Sequence, residues 1–114
     1  MKLITKAQEE KLLANHAALA GAFVKKTTDT DTPVVKLFDA FGQAYWLLTD
    51  MDEDGRAFGL CDLGMGFPEL GYVDINELKE LTQFGAPRIE RDMYFTATKT
   101  LSEYMADAKE GVRP

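Results

Sequence analysis

Acidic residues at alternate positions are the first group in the chain that could do chemistry. The segment from Asp50 to Gly55 (DMDEDG) has the pattern D-x-D-x-D-G, which opens calcium loops whose oxygens converge on a hard cation. The twelfth position of such a loop requires a bidentate Glu, but Cys61 stands there. Because acidic residues with Gly are also typical of exposed turns, we predict a hairpin turn that holds no metal.

The single cysteine and the single histidine could in principle form a nucleophilic pair. Cys61 lies beside Asp62 and has no basic neighbour that would lower its pKa. His16 has no Cys, Asp or Glu four residues away on either side. We therefore predict an inert thiol and a structural or solvated histidine. No cofactor is expected, because the chain has no P-loop, no Rossmann glycine pattern and no G-x-S-x-G motif.

Charged residues also fall on strand faces that are otherwise apolar. Alternation in a strand predicted at 88–96 places Arg91 on the face that points to the core, and Asp62 shares the face of Leu60. Since a buried charge without a partner is costly, we predict that Arg91 pairs with Asp62 or Glu69. Two interpretations remain open: a buried ion pair that fixes the order of the strands, or charged groups in a water-filled enzyme cleft.

The loop from Gly64 to Gly71 (GMGFPELG) combines glycine and proline with apolar side chains. This composition suits a binding loop of fixed shape, and it suits tight packing between a strand and a helix equally well. In the binding interpretation, the surface consists of Met65, Phe67, Pro68, Glu69 and Tyr72.

Capping boxes predict where three helices begin. The pairs are Thr5 with Gln8, Asp74 with Glu77, and Thr100 with Glu103. Apolar residues at helical spacing follow each box, and in the first helix this stripe extends to Phe23 and Val24. Gly21 is predicted to end or loosen the first helix, and Gly111 to end the third.

Between and after these helices the apolar residues alternate, which predicts strands. The segments are 34–38, 43–49, 56–62 and 88–96, and 70–73 is a candidate for an additional short strand. The second and third should form an antiparallel hairpin. We predict a single α+β domain over residues 1–114, with a mainly antiparallel sheet of about four strands and three helices packed mostly on one face.

The composition excludes several classes of protein. With 46% apolar and 28% charged residues, the chain is typical of one globular domain. Its formal charge is -6 and its Lys and Arg residues are scattered, so no basic face is available for direct binding to nucleic acid.

No membrane span or signal peptide is expected. The longest nearly apolar run, 17–24, is less than half of the ~20 residues that a membrane-spanning helix needs. Charged residues interrupt the first 24 positions, which argues against a signal peptide. A single cysteine fits a reducing compartment, so we expect a cytoplasmic protein.

Four segments resemble the bacterial family catalogued as domain of unknown function 2958. They are PVVKLF at 33–38, WLLT at 46–49, FGLCDLGMGFPELGYV at 58–73 and IERDMYF at 89–95. The resemblance extends from about Leu3 to Tyr104. It implies a small bacterial accessory protein associated with plasmids or other mobile elements, and it implies no catalytic residues.

These observations predict a non-enzymatic module that binds another protein through the 64–71 loop and the adjoining sheet edge. One alternative is a small enzyme whose cleft is built on Asp62, Glu69 and Arg91, which requires a concave pocket around those groups. A second alternative is an acidic decoy for a DNA-binding protein, which requires carboxylates spaced like phosphates along one surface.

Overall fold

The computed structural model describes residues 2–20 and 27–114, which form three helices and seven strands within these ranges. In chain order the elements are α1 (Lys6–Ala18), β1 (Val35–Asp39), β2 (Tyr45–Met51), β3 (Arg56–Asp62), β4 (Glu69–Asp74), α2 (Ile75–Glu80), β5 (Thr82–Gln83), β6 (Ala86–Pro87), β7 (Ile89–Arg91) and α3 (Leu101–Lys109). Five strands form one antiparallel sheet in the order β4-β3-β2-β1-β7, and β5 pairs with β6 in a separate ribbon. The predicted α+β fold is confirmed, and the sheet has a fifth strand because residues 69–74 pair along their full length.

Alternation along the strands gives the sheet two apolar faces. On one face, Leu12 of α1 and Leu78 of α2 belong to the same buried cluster as Trp46. On the other face, Tyr104 of α3 is clustered with Leu47. Two of the three helices thus share one face, as expected for helices packed mostly on one side.

The helix starts follow from local side-chain chemistry. The capping boxes predicted at Thr5 and Thr100 are both formed. At α2, the Asp74 carboxylate accepts a hydrogen bond from the backbone amide of Asn76 at 2.8 Å. The predicted box had placed this bond one residue later, at Glu77. All three N-caps satisfy backbone donors that the first helical turn leaves free.

The end of α3 also agrees with the sequence. Gly111 follows the C-cap residue of α3 and has a φ of 79°. This is the left-handed conformation that glycine adopts at low cost. The predicted end of the first helix at Gly21, and its apolar residues Phe23 and Val24, lie outside the described residues.

The strand predicted at 88–96 is shorter in the structure, because it ends at Arg91. The Asp92 carboxylate accepts a hydrogen bond from the amide of Tyr94 at 2.9 Å, and this local turn takes the chain out of the strand conformation. The predicted alternation therefore stops before Met93, which is exposed.

A β-bulge in β2 is hydrogen-bonded to α1. The register between β2 and β3 shifts between Leu48 and Asp50, so Thr49 is the additional residue in β2. Its backbone carbonyl accepts a hydrogen bond of 2.8 Å from the side-chain amide of Asn15 in α1. The position of α1 on the sheet is thus tied to the bulge.

The β5–β6 ribbon was not predicted from the sequence. Its turn contains Phe84, with a φ of 53°, and Gly85, with a φ of 79°. The Arg88 guanidinium holds the ribbon against β1 through two contacts to the Asp39 carboxylate, at 3.0 and 2.9 Å. The exposed Phe84 ring lies edge-on to Phe41, with 6.3 Å between the ring centroids.

Candidate functional site

The predicted binding loop at 64–71 overlaps an edge strand, because Glu69, Leu70 and Gly71 belong to β4. β4 lies at one end of the sheet order, and among the residues that the structure describes it pairs with β3 alone. The pairing runs without a register shift from the Cys61–Glu69 pair to the Arg56–Asp74 pair. The loop and the outer edge of β4 therefore form one continuous surface.

Large apolar side chains are exposed on this surface. The exposed fractions are 69% for Met65, 79% for Phe67 and 63% for Tyr72. Pro68 is half-buried and Glu69 is exposed. Tight packing of the loop between a strand and a helix would instead have buried Met65 and Phe67. Leu63 and Leu70, which were not among the residues selected from the sequence, are also exposed here.

The base of the loop is held in a defined shape. The Asp62 carboxylate accepts a hydrogen bond from the backbone amide of Gly64 at 2.8 Å. Gly64 has a φ of 81°, and a Cβ at this position would lie 2.4 Å from the Cβ of Gln43. Gly64 thus permits both a left-handed backbone and close contact with the β1–β2 turn.

The Tyr72 ring packs against two side chains on the same face of the sheet. Its ring lies edge-on to Phe58, with 5.2 Å between the centroids, and the Arg56 guanidinium carbon is 4.3 Å from the Tyr72 ring centroid. Leu70 is paired with Leu60 and therefore shares this face. An exposed aromatic ring held in this way loses little conformational freedom on binding.

The structure does not bring Arg91 together with Asp62 or Glu69. Arg91 is on β7 and Glu69 is on β4, the two opposite edges of the sheet. Asp62, on β3, is three strand spacings from β7, or about 14 Å at the usual spacing. The two residues also lie on opposite faces of the sheet. Asp62 is paired with Tyr45, which belongs to the cluster on one face, and Arg91 is paired with Leu37, which belongs to the cluster on the other face.

The predicted ion pair is therefore wrong, and an enzyme cleft built on these three residues is not formed. The Arg91 guanidinium instead donates a hydrogen bond of 2.8 Å to the backbone carbonyl of Lys2. Arg91 lines two cavities, of about 480 and 390 Å³, and neither Asp62 nor Glu69 lines them.

Asp62 has a different neighbour, the buried side chain of Tyr45. The Tyr45 hydroxyl has no hydrogen bond of acceptable geometry among the described residues. Burial, reinforced by the nearby Asp62 charge, raises the pKa of Tyr45 to about 12. The Arg113 guanidinium, whose carbon is 4.8 Å from the ring centroid, acts in the opposite direction.

Replacing Tyr45 with Phe is expected to reduce the loss of stability at alkaline pH. Because the pKa of Tyr45 is about 12 when folded and about 10 when unfolded, the ionised form favours the unfolded chain, and stability falls as the pH rises from about 10 to about 12. The melting temperature of Tyr45→Phe should therefore decrease less than that of the parent between pH 7 and pH 11. Tyr94→Phe, at an exposed ring, is the control, and equal decreases in all three proteins would contradict the prediction.

The hairpin turn is formed as predicted, by residues Asp52 to Gly55, while Asp50 and Met51 are the last residues of β2. The Asp50 carboxylate accepts a hydrogen bond from the Thr49 hydroxyl at 2.8 Å, and it lies 3.5 Å from the ring of the exposed His16. The Asp52 carboxylate accepts hydrogen bonds from two backbone amides of the turn, each at 2.9 Å. These carboxylates have different partners, and the described part of the chain contains no cluster of His, Cys, Asp or Glu suited to a metal ion.

Cys61 is half-buried at the end of β3. Burial raises the pKa of the Cys61 thiol, and the negative charges of Asp62 and Glu69 add to this effect. Because the thiolate is the nucleophile, a raised pKa makes Cys61 a poor catalytic group at neutral pH.

Comparison with known proteins gives a family and no function. No curated protein and no solved structure matches the chain. Within the described residues, no helix combines the length and apolar character needed to cross a membrane. The model of one family, "Protein of unknown function (DUF2958)", matches residues 3–113, which agrees with the resemblance found in the sequence. The chain belongs to this family.

Proposed function

We propose that the chain is a non-enzymatic module that binds another protein. Its binding surface, termed here the loop–edge surface, consists of the outer edge of β4 and the exposed side chains of Leu63, Met65, Phe67, Leu70 and Tyr72. One observation carries the proposal: these large apolar side chains are exposed together beside an edge strand that pairs on one side only among the described residues. Contiguous exposed apolar groups are typical of protein interaction sites.

The shape of the loop–edge surface favours a protein partner over a small molecule. Small ligands bind in concave pockets that bury most of their surface. The larger cavities of the described structure are lined by residues outside this surface. Projecting Met and aromatic side chains are enriched in protein interfaces, where they fill pockets of the partner.

The cellular context is part of the same proposal. The family resemblance supports a bacterial accessory protein associated with plasmids or other mobile elements. The single cysteine, Cys61, is compatible with the reducing bacterial cytoplasm. The net charge of -6 favours a protein partner over direct contact with nucleic acid.

Phe67→Ala is expected to weaken binding to the partner without changing stability. Phe67 is 79% exposed, so its removal costs the fold little, whereas truncation of an aromatic anchor should lower affinity at least about tenfold. The tagged 114-residue chain is used to capture proteins from its native host, and the affinity of each captured protein is then measured for parent and variant. Melting temperatures of both proteins establish that the fold is unchanged.

Tyr94→Ala is the matched control. Tyr94 is 92% exposed and follows β7, the opposite edge strand of the sheet. A partner of the loop–edge surface should bind Tyr94→Ala as tightly as the parent. If every captured protein binds Phe67→Ala and the parent equally well, the proposed surface is wrong.

A further inference from the structure

We propose that the outer edge of β4 binds an extended, basic segment of the partner protein as an additional strand of the sheet. This inference rests on the proposed function of the loop–edge surface and specifies the chemistry of the partner. Strand addition to an exposed sheet edge derives affinity from backbone hydrogen bonds and specificity from alternate side chains.

Between its acidic ends, β4 lacks the proline, lysine and bulges that often block such pairing. Natural edge strands are protected by charged side chains, above all lysine, by proline, by bulges or by very short length. β4 has six residues, ELGYVD, with neither proline nor lysine, and its pairing with β3 has no register shift. At Gly71, in the middle of the strand, no atom lies within 4 Å of the position that a Cβ would occupy.

The side chains of β4 indicate where the incoming strand would be apolar. Leu70 and Tyr72 are two residues apart and lie on one face of the strand, both exposed. Side chains on neighbouring antiparallel strands contact each other when they share a face. A strand added to β4 would therefore place apolar or aromatic residues at alternate positions against Leu70 and Tyr72.

The charges of β4 indicate a basic partner. Glu69 and Asp74 occupy the two ends of the strand. At the Asp74 end, the side-chain amide of Asn76 donates a hydrogen bond of 3.0 Å to the backbone carbonyl of Asp54, which places the acidic tip of the β2–β3 hairpin beside the start of α2. Lys or Arg residues at both ends of the incoming segment would therefore meet carboxylates.

The same charges disfavour a second copy of the chain as the added strand. In full antiparallel register, β4 of each copy would place Glu69 opposite Asp74 of the other copy, and this would occur at both ends. Like charges in directly opposite positions are destabilising. The net charge of -6 on each copy adds a longer-range repulsion.

The test uses a displayed library of random twelve-residue peptides, selected on the 114-residue chain. The selected peptides should share alternating apolar residues with Lys or Arg at the ends. Synthetic versions should bind Glu69→Lys at least about tenfold more weakly than the parent, because the variant replaces an attraction with a repulsion.

Backbone N-methylation of the synthetic peptides tests strand addition directly. Only alternate residues of an added strand direct their N–H groups toward β4. Methylation of one alternate set should therefore reduce binding at least tenfold, while methylation of the other set should leave it nearly unchanged. Equal effects of the two sets, or a selection that yields peptides without basic residues, would overturn the inference.

The two proposals can fail separately. If Phe67→Ala abolishes peptide binding and neither N-methylated set has an effect, the loop–edge surface is correct and strand addition is wrong. If the selected peptides bind Phe67→Ala and Glu69→Lys as tightly as the parent, both proposals are wrong. Sedimentation equilibrium tests for a second copy of the chain. If the parent is a dimer and Phe67→Ala is a monomer, the partner of the loop–edge surface is a second copy and not a basic protein.

Discussion

Gly59→Ala is expected to lower the free energy of unfolding by about 3 kcal/mol, at the upper end of the usual range for overpacking. A Cβ at Gly59 would lie 1.9 Å from the backbone oxygen of Leu47 and 2.9 Å from the Cα of Leu48. Both atoms belong to the backbone of β2, so no side-chain rotation can relieve the contact. The added methyl group must push β2 and β3 apart next to the bulge at Thr49.

Gly71→Ala is the matched control for this prediction. Gly71 is paired directly with Gly59 across β3 and β4, but no atom lies within 4 Å of its Cβ position. Both substitutions reduce the freedom of the unfolded chain similarly, so the difference between them isolates the steric clash. Chemical unfolding with unchanged m-values is the measurement, and equal stabilities of the two variants would contradict the prediction.

The three helix starts and the β2–β3 turn depend on neighbouring residues and were predicted correctly from the sequence, although the Asp74 side chain caps Asn76 and not Glu77. The capping boxes at Thr5 and Thr100 depend on contacts three residues apart, and the turn between β2 and β3 depends on the residues from Asp52 to Gly55. Helix starts and hairpins are local structures, and their residue preferences have direct physical causes. The α+β class followed from the order of these elements.

The partner of Arg91 could not be predicted in the same way. Alternation indicates which face of a strand a side chain occupies, but not which strands are neighbours. β7 pairs with β1, which comes about fifty residues earlier in the chain, and this non-local pairing separates Arg91 from Asp62 and Glu69. Charged residues on otherwise apolar strand faces need not meet, and Arg91 and Asp62 lie on opposite faces of the sheet.

The β5–β6 ribbon was missed for another reason. Its strands have two residues each, which is too short for a pattern of alternation. Its turn places Phe84 at a φ of 53°, a conformation that bulky residues rarely adopt. The dipeptide of Phe84 and Gly85 was the available signal, because glycine often marks a turn. The ribbon lies beside Phe41 in the β1–β2 turn, at the same end of the sheet as the loop of the loop–edge surface.

Asn15→Ala is expected to lower the free energy of unfolding by about 2 kcal/mol, because it leaves a buried acceptor without its donor. Asn15 is 2% exposed, and its side-chain amide donates a 2.8 Å hydrogen bond to the carbonyl of the fully buried Thr49. This carbonyl belongs to the bulge, where the regular ladder between β2 and β3 is interrupted.

His16→Ala is the control for this second prediction, because His16 follows Asn15 in α1 and contacts the same part of β2. Its ring lies 3.5 Å from the Asp50 carboxylate, but its side chain is 46% exposed, and exposed pairs of this kind contribute about 1 kcal/mol or less. Chemical unfolding should therefore show a clearly larger loss for Asn15→Ala than for His16→Ala. If both variants lose the same small amount, water reaches the Thr49 carbonyl, and α1 is held on the sheet by its apolar contacts alone.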